Sequence, residues 1–298
     1  MGRPFFHIHG GDMHVVIIGG GPAGVSAALY ARRSGAEVTV VAKDGGSLAC
    51  AEKIENYYGV GSPISGAELL RRGAAGARRL GVAFHADEVV DIQPQFEDGG
   101  FIVEGVSRTY TADTIVLATG ARHSSFTVPG IKEFEGHGVS YCAVCDAFFY
   151  RGKRIAVIGA GAYALHEVQI LLPHAAEITL LTNGAELKAD FPDRTVLDTR
   201  KIHSIAGEGR AQQIIFTEGA QMDVDGVFLA VGVAGSTELA RKLGVLLDHD
   251  NIVVDAHMET NIPGVYAAGD CTGGLLQVVK AAYEGAQAGL SLVQRKTR

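Results

Sequence analysis

A strand, a glycine-rich turn and a helix occur twice along this chain of 298 residues. The first copy has a strand at Val15–Ile18 and a turn that begins at Gly19. The second has a strand at Ile155–Ile158 and a turn that begins at Gly159. In each copy a second apolar strand follows the helix, which is the pattern of a dinucleotide-binding βαβ unit. The repeat therefore predicts an α/β protein with two Rossmann-like, three-layer domains.

The first glycine turn, which includes Pro22 and Ala23, contains three glycines with separate tasks. Gly19 allows the tight turn, Gly21 lets a phosphate approach the backbone, and Gly24 lets the helix pack closely on the strand. Asp44 lies 20 residues after Gly24, where a carboxylate can accept a hydrogen bond from a ribose hydroxyl. We expect this copy to bind a dinucleotide, the alternative being a purely structural turn.

The second copy lacks the residues that usually select a nicotinamide nucleotide. Its second strand is followed by Thr182, Asn183 and Gly184, with no arginine for the 2′-phosphate of NADPH. No carboxylate stands there for the 2′-hydroxyl of NADH, unless Glu186 reaches back. The second copy thus predicts the fold but does not favour NADPH as its ligand.

The order of the motifs predicts that one domain is inserted in the other. A buried strand precedes Gly120, and a strand that leads to the turn at Gly269 and Asp270 comes near the far end of the chain. Both suit the first dinucleotide fold, with the Asp270 carboxylate facing a ribityl hydroxyl or a phosphate. We therefore predict one domain from residues 13–122 and 247–298, and an inserted domain from residues 123–246.

Composition excludes several classes of protein. With 47% hydrophobic residues the chain can fill two cores, yet no apolar run approaches the roughly 20 residues that span a membrane. The formal charge of −7 argues against nucleic acid as the main partner. Four scattered cysteines do not form the framework of a secreted protein, so a reducing cytoplasm is the expected location.

Cys142 and Cys145 are separated by two residues and precede the second dinucleotide fold. Such a pair closes a redox-active disulfide or supplies half of a zinc site, and the second needs two further ligands that Cys50 and Cys271 are badly spaced to provide. We expect no metal, and we expect those two cysteines to be small packing residues. The adjacent Asp146 is a candidate proton donor and acceptor or, alternatively, a helix N-cap.

Together these motifs resemble the low-molecular-weight thioredoxin reductase family of flavoproteins, over nearly the whole chain from Met13. The resemblance implies FAD as cofactor, with the pyrophosphate at the Gly19–Gly24 turn. It implies further cofactor-binding residues along the chain: Gly46, Leu48, Asn56, Ala118, Thr119, Gly120, Gly269, Asp270, Gln277 and Val278.

Within that family, the chain looks more like a branch that does not use pyridine nucleotides, namely the ferredoxin-dependent flavin thioredoxin reductases and their deeply rooted relatives. The departures that indicate this branch are Thr182–Gly184, the run Tyr163–Glu167 and the pair Leu276-Gln277. Two arginine pairs that begin at Arg71 and Arg78 form a solvated helix face or attract an acidic donor such as ferredoxin.

The resemblance also implies a mechanism and partners. Cys145 would lie nearer the flavin, and Cys142 would be the more exposed thiolate that attacks a thioredoxin disulfide. A homodimer is implied as well. The aromatic pair Phe148-Phe149 would stack near the flavin or pack in a core. Three other readings remain open: an NADPH-dependent thioredoxin reductase, a dithiol oxidase, and a flavin-binding redox sensor.

Overall fold

The computed structural model of the chain describes residues 13–95, 99–120 and 126–294. Each of the two repeats lies in the middle of its own five-stranded parallel sheet. The described residues fall into two units. Unit 1 comprises those of Met1–Arg122 and Gly235–Arg298, and unit 2 those of His123–Ala234. The predicted α/β class, with one Rossmann-like fold inserted in the other, is confirmed.

The elements of the described residues follow in chain order. The first part of unit 1 contains β1 (His14–Ile18), α1 (Pro22–Arg33), β2 (Glu37–Val41), α2 (Gly46–Ala49), α3 (Gly66–Arg79), β3 (Ala83–His85), β4 (Val89–Pro94), β5 (Phe101–Gly105), β6 (Thr109–Ala112) and β7 (Thr114–Leu117). Unit 2 contains β8 (Val139–Ser140), α4 (Ala143–Asp146), β9 (Arg154–Ile158), α5 (Ala162–Leu171), β10 (Glu177–Leu181), β11 (Thr195–Asp198), β12 (Ile202–Ala206), β13 (Gln213–Phe216), β14 (Gln221–Asp223) and β15 (Gly226–Leu229). Unit 1 resumes with α6 (Ser236–Lys242), β16 (Leu247–Asp248), β17 (Asn251–Ile252), β18 (Val265–Ala267) and α7 (Val278–Gln294), and two short 3₁₀ segments lie at Ala147–Tyr150 and Asp270–Thr272.

The two units have the same strand plan. The parallel sheet of unit 1 has the order β18-β7-β1-β2-β3, and that of unit 2 has the order β8-β15-β9-β10-β11. Each unit also has a three-stranded antiparallel sheet, β4-β5-β6 or β12-β13-β14. The central strands are buried along nearly their whole length, as apolar strands of a parallel sheet covered on both faces must be. The carboxyl ends of β1 and β9 therefore carry the two glycine turns.

The last helix, α7, packs against α1 at very short range. A methyl group on Gly285 or Gly289 would overlap the backbone of α1 at Ala23 or Ala27. Ser26 Oγ reinforces the contact by donating to the carbonyl of Ala282 at 2.6 Å. The small residues of α7 thus let it lie directly against the helix that follows the first glycine turn.

The two units differ in the connection between their second and third sheet strands. In unit 1 the connection from β2 to β3 contains α3, whereas the connection from β10 to β11, residues 182–194, contains no helix. The side chains of Val196 and Leu197 on β11 are consequently exposed, at 51% and 49%. A parallel strand normally has both faces covered.

The second boundary between the units lies at Gly235 rather than at residue 247. Helix α6 belongs to unit 1 because Lys242 Nζ donates to the Val90 carbonyl at 3.0 Å and lies 3.4 Å from the Asp91 carboxylate. The predicted boundary at residue 122 falls among residues 121–125, outside the described residues. Among the described helices, none has the length and apolar content needed to cross a membrane.

Candidate active site

The first glycine turn has the geometry that its glycines predict. Gly19 has a φ of +116°, and a side chain there would overlap the Ala118 carbonyl. A side chain on Gly24 would overlap the carbonyl oxygen of Gly19. Gly19 and Gly24 are therefore required by packing alone, whatever the turn binds.

Gly21 differs, because nothing lies within 4 Å of the position a side chain would take. Its φ of −75° is open to any residue, and it is the N-cap of α1, with Pro22 at the first helical position and Ala23 buried behind it. Fold packing therefore gives no reason for a glycine here. An open space beside the free N–H groups of a helix N-terminus fits the pyrophosphate of a dinucleotide.

The Thr119 loop lies beside this turn and is held by the start of α6. Thr119 N donates to Ser236 Oγ at 3.1 Å, and Ser236 N donates to Thr119 Oγ1 at 2.6 Å. Gly120 follows with a φ of +81°, while Ala118 is buried. Sequence analysis missed Ser236, because the bond joins residues that are 117 positions apart.

The turn at Gly269 and Asp270 is fixed by two residues of α7. Glu284 Oε2 accepts from Gly269 N at 2.8 Å, and Lys280 Nζ donates to the carbonyls of Gly269 and Gly273 at 2.7 and 2.6 Å. Lys280 and Glu284 also form an ion pair at 3.0 Å. The Asp270 side chain makes no hydrogen bond within the described part of the chain, which leaves its carboxylate available to a ligand.

Segments predicted to contact the flavin lie on the same unit. Asn56 Nδ2 donates to Gln277 Oε1 at 3.0 Å, so two predicted residues meet although 221 positions separate them. Val278 begins α7 directly after Gln277. Gly46 and Leu48 lie in α2.

Asp44 is used differently from its prediction, at least in part. It is exposed and lies three residues beyond the end of β2, and its Oδ1 accepts from Gly46 N at 2.8 Å. One oxygen of the carboxylate therefore closes a local turn, and the other is left for a ribose hydroxyl.

The predicted redox pair forms a disulfide between Cys142 and Cys145, with Cα atoms 5.4 Å apart. Cys142 caps the short helix α4, and its Sγ accepts from Cys145 N at 3.1 Å. Asp146 stands at the N-cap of the 3₁₀ segment Ala147–Tyr150, as its alternative reading expects, but its side chain makes no capping hydrogen bond. Burial and then the charge of Asp146 raise the pKa of Tyr150.

The order of exposure within the pair is the reverse of the prediction. Cys142 is only 4% exposed, whereas Cys145 is exposed. Cys142 directly precedes the helix α4. Ser140 Oγ accepts a hydrogen bond from its backbone N–H at 3.1 Å. Of the two cysteines in this structure, Cys145 is therefore the exposed one, while the position nearer the flavin that the resemblance implies for it stays a prediction.

Large apolar side chains close to Cys145 along the chain are exposed. Val144, Phe148 and Phe149 are all more than half exposed, and the two phenylalanines contact each other edge to face. The core-packing interpretation of the phenylalanine pair is wrong. Exposed apolar side chains clustered beside a reactive group are typical of a surface that binds a partner.

Two residues of α5 hold the cysteine turn from below. Tyr163 Oη donates to the Tyr141 carbonyl at 2.9 Å, and Glu167 Oε2 accepts from Ala143 N at 2.6 Å. Both side chains are 1% exposed. The sequence marked the run Tyr163–Glu167 as a departure from the usual second fingerprint, but gave no sign that it supports the disulfide.

The second glycine turn keeps its fold, and the residues directly after β10 are Thr182, Asn183 and Gly184 rather than an arginine. Asn183 has a φ of +52°, and its Oδ1 accepts from Ile202 N at 2.7 Å. Gly184 follows with a φ of +81°, and Lys188 N donates to the Ala160 carbonyl of the glycine turn at 2.8 Å. The positions expected to anchor a nucleotide phosphate thus support the loop itself.

The two remaining cysteines have opposite environments. Cys271 is buried, where its Sγ donates to the Ala268 carbonyl, and burial raises the pKa of its thiol to about 11. Cys50 is exposed. The predicted packing role therefore suits Cys271 and is wrong for Cys50.

Comparison with known proteins supports one family throughout. The description of the matching family is pyridine nucleotide-disulphide oxidoreductase, and the match covers residues 13–286. A thioredoxin reductase of Listeria monocytogenes is 34% identical, over 92% of this chain and 91% of its own. Among solved structures, the atypical thioredoxin reductase TRi from Desulfovibrio vulgaris Hildenborough has a TM-score of 0.89 and 36% identity, covering 95% of this chain and 99% of that one. A ferredoxin-flavin thioredoxin reductase from Clostridium acetobutylicum has a TM-score of 0.73 and 29% identity, covering 96% and 98%.

Proposed function

Because this chain belongs to the thioredoxin reductase family of pyridine nucleotide-disulphide oxidoreductases, we propose that it binds FAD in unit 1 and reduces the disulfide of thioredoxin or a thioredoxin-like protein. The observation that carries the proposal is the Cys142–Cys145 disulfide, whose exposed sulfur lies among exposed apolar side chains. The electrons come from ferredoxin rather than from NADPH.

The residues of unit 1 fit FAD. The open space at Gly21 would receive the pyrophosphate at the N-terminus of α1. The Asp270 carboxylate would accept from a ribityl hydroxyl, and Asn56 and Gln277, which are joined by a hydrogen bond, would bind at the flavin. When bound, FAD supplies reversible one- and two-electron transfer, which is what a converter between a one-electron donor and a dithiol needs.

The exposure of Cys145 supports the following order of steps in thiol exchange. In the reduced pair the Cys145 thiolate attacks a sulfur of the partner disulfide, which forms a mixed disulfide and releases a partner thiolate. Cys142 then attacks Cys145 Sγ, so the internal disulfide reforms and the partner leaves as a dithiol. Asp146 takes up and returns the proton of the attacking thiol. Val144, Phe148 and Phe149 provide the apolar surface for the partner.

Two features support a donor other than NADPH. Asn183 and Gly184 occupy the positions where a phosphate-binding arginine is expected, and both are committed to the loop. Arg71 and Arg72 of α3 are exposed and both pair with Glu68. Arg78 and Arg79 on the same helix are also exposed, so the arginines outnumber the carboxylate there, on a chain of net charge −7. An acidic ferredoxin would be guided to such a local positive surface.

The donor is tested by anaerobic reduction of the yellow holoprotein. We expect reduced ferredoxin to bleach the flavin absorbance and to support reduction of a thioredoxin, and NADPH to do neither. Bleaching by NADPH within seconds would favour the NADPH-dependent alternative. Rapid oxygen consumption with a small dithiol, without thioredoxin reduction, would favour the oxidase. Bleaching that leaves every disulfide substrate unchanged would favour the sensor.

A second copy of the chain is the proposed partner of α7. Leu276, Val279 and Tyr283 recur at helical spacing and are all more than half exposed, which gives unit 1 an apolar stripe. Burial of the stripe in a homodimer would remove it from water. Sedimentation should give a dimer for the natural chain and a monomer for Val279→Lys, whereas a monomeric natural chain would contradict the proposal.

A further inference from the structure

We propose that Lys280 is a positioning residue that holds the turn from Gly269 to Gly273 ready for FAD before the ligand arrives. The proposal deepens the proposed function, because it rests on the binding of FAD in unit 1. The ammonium of Lys280 donates to the carbonyls of Gly269 and Gly273 at 2.7 and 2.6 Å, and to Thr272 Oγ1 at 2.8 Å. One side chain therefore connects both ends of the turn that contains Asp270.

The turn needs such a support because of its backbone. Gly269 and Gly273 have φ values of +92° and +75°, and Gly274 follows at +73°. Glycine loses more conformational freedom on folding than any other residue, so a segment rich in glycine is hard to hold in one shape. A ligand that had to order this segment would bind more weakly, whereas a turn that Lys280 already holds avoids that loss.

The place of Lys280 on its helix indicates a role beyond helix formation. It is the third residue of α7, where the positive end of the helix dipole disfavours a cation. Glu284, one turn later, compensates the charge at 3.0 Å, and the two side chains are only 14% and 12% exposed. The Glu284 carboxylate also accepts from Gly269 N and from Thr272 Oγ1, each at 2.8 Å. The two charges thus neutralise each other, and both bind the same turn.

Cys271 reports the state of the turn without any ligand. It lies between Gly269 and Gly273 and is 2% exposed, and its Sγ donates to the Ala268 carbonyl at 3.4 Å. A turn that opened would expose this thiol to reagents. The rate at which Cys271 reacts in the apoprotein therefore measures the order of the turn separately from FAD.

The experiment compares the natural Lys280 with Lys280→Ala, both in a Cys50→Ser background with the Cys142–Cys145 disulfide intact. In titration of the apoprotein, we expect the variant to raise the dissociation constant of FAD at least about tenfold, because charge-assisted hydrogen bonds to the turn are lost. In the same apoprotein, Cys271 should react with a maleimide at least about tenfold faster. An unchanged FAD constant would reduce Lys280 to a structural role, and an unchanged thiol rate would show that it does not act through the turn. Either result would overturn the proposal.

Rescue by a free cation separates the ammonium from the bulk of the side chain. In Lys280→Ala, ammonium chloride should lower the FAD dissociation constant at least about threefold below its value in sodium chloride at equal concentration, because ammonium can donate to the vacated carbonyls. Equal constants in the two salts would reject the ammonium as the active group. If Lys280→Ala does not fold, Lys280→Gln removes the charge from a chain of similar reach, and an unchanged FAD constant there would overturn the proposal.

Lys53→Ala is the matched control, because Lys53 belongs to the same unit and forms an exposed ion pair with Glu55 at 2.9 Å. It should change neither the FAD constant nor the Cys271 rate, and an effect equal to that of Lys280→Ala would reject a specific role for Lys280. A natural chain that bound no FAD would refute the proposed function. An unchanged Cys271 rate in Lys280→Ala would refute only the role of the lysine, so the two failures are distinguishable.

Discussion

Asn56 and Gln277 are joined by a hydrogen bond of 3.0 Å although 221 positions separate them along the chain. The bond connects the segment after α2 to the start of α7, and both segments belong to the proposed FAD site. It closes one side of that site with two neutral amides. Neither residue is required by the packing of the sheet, so their loss should affect the ligand more than the fold.

Replacement of either amide should weaken FAD binding. A hydrogen bond between neutral groups contributes about 1 kcal/mol, so Asn56→Ala should raise the dissociation constant of FAD about fivefold. Titration of the apoprotein with FAD measures this. The double variant with Gln277→Ala should cost less than the sum of the single changes, because the two side chains act as a pair. Gln287→Ala, farther along α7, is the control, and an equal loss there would contradict the assignment.

A methyl group added at Gly21 should weaken FAD binding, whereas one added at Gly24 should disrupt the fold. Gly21→Ala fits the open space, so the thermal midpoint of the apoprotein should stay within about 2 °C while FAD affinity falls at least tenfold. Gly24→Ala places its methyl on the Gly19 carbonyl and should lower the yield of folded protein. Calorimetry and FAD titration give both values. Retention of full FAD affinity by Gly21→Ala would disprove the pyrophosphate assignment.

The two cysteine variants should differ in reactivity. Cys142→Ser leaves the exposed Cys145, which should react with an aromatic disulfide reagent at pH 8 at least about tenfold faster than Cys142 does in Cys145→Ser. Stopped-flow absorbance measures both rates, in a Cys50→Ser background to remove the other exposed thiol. Only Cys142→Ser should accumulate a stable mixed disulfide with thioredoxin. If Cys142 reacted faster than Cys145, the roles that the family resemblance implies, with Cys142 as the attacking thiolate, would hold instead.

The oxidised native protein should show one rapidly titrating thiol. Cys50 is exposed, whereas burial raises the pKa of Cys271 to about 11. Burial favours the neutral thiol, so at pH 8 only about one Cys271 in a thousand is a thiolate. Thiol titration should give one group before denaturation and two after it.

The same raised pKa predicts an alkaline loss of stability. The contribution of Cys271 is fully present below its unfolded pKa near 9 and is lost as the pH rises to 11. Cys271→Ala should show a shallower decline of unfolding free energy over that range, measured by denaturant titration. Two fast thiols in the native protein would contradict both expectations.

The sequence predicted those parts of the fold that depend on local geometry. Gly19 and Gly24 could be assigned because only glycine tolerates the overlaps of a tight βαβ turn, and the repeated pattern supplied the two sheets. The contribution of α6 to unit 1 could not be seen, because it depends on Ser236 and Lys242 meeting residues more than 100 positions away.

The site was predicted less completely than the fold. Opposite charges at Lys280 and Glu284, four apart in an otherwise uncharged helix, were a signal that sequence analysis did not use. The sequence did not indicate the role of Glu167, because a buried carboxylate cannot be distinguished from a surface carboxylate before its neighbours in the fold are known. The exposure of Cys145 likewise depends on which elements cover Cys142.

Asn183 limits how this protein could acquire a different electron source. Its left-handed backbone is costly for a larger side chain, and its amide oxygen secures the start of β12. An arginine introduced there would lose that bond and strain the turn before it met any phosphate. If the proposed donor is right, a change toward nicotinamide would therefore need more than a substitution at Asn183.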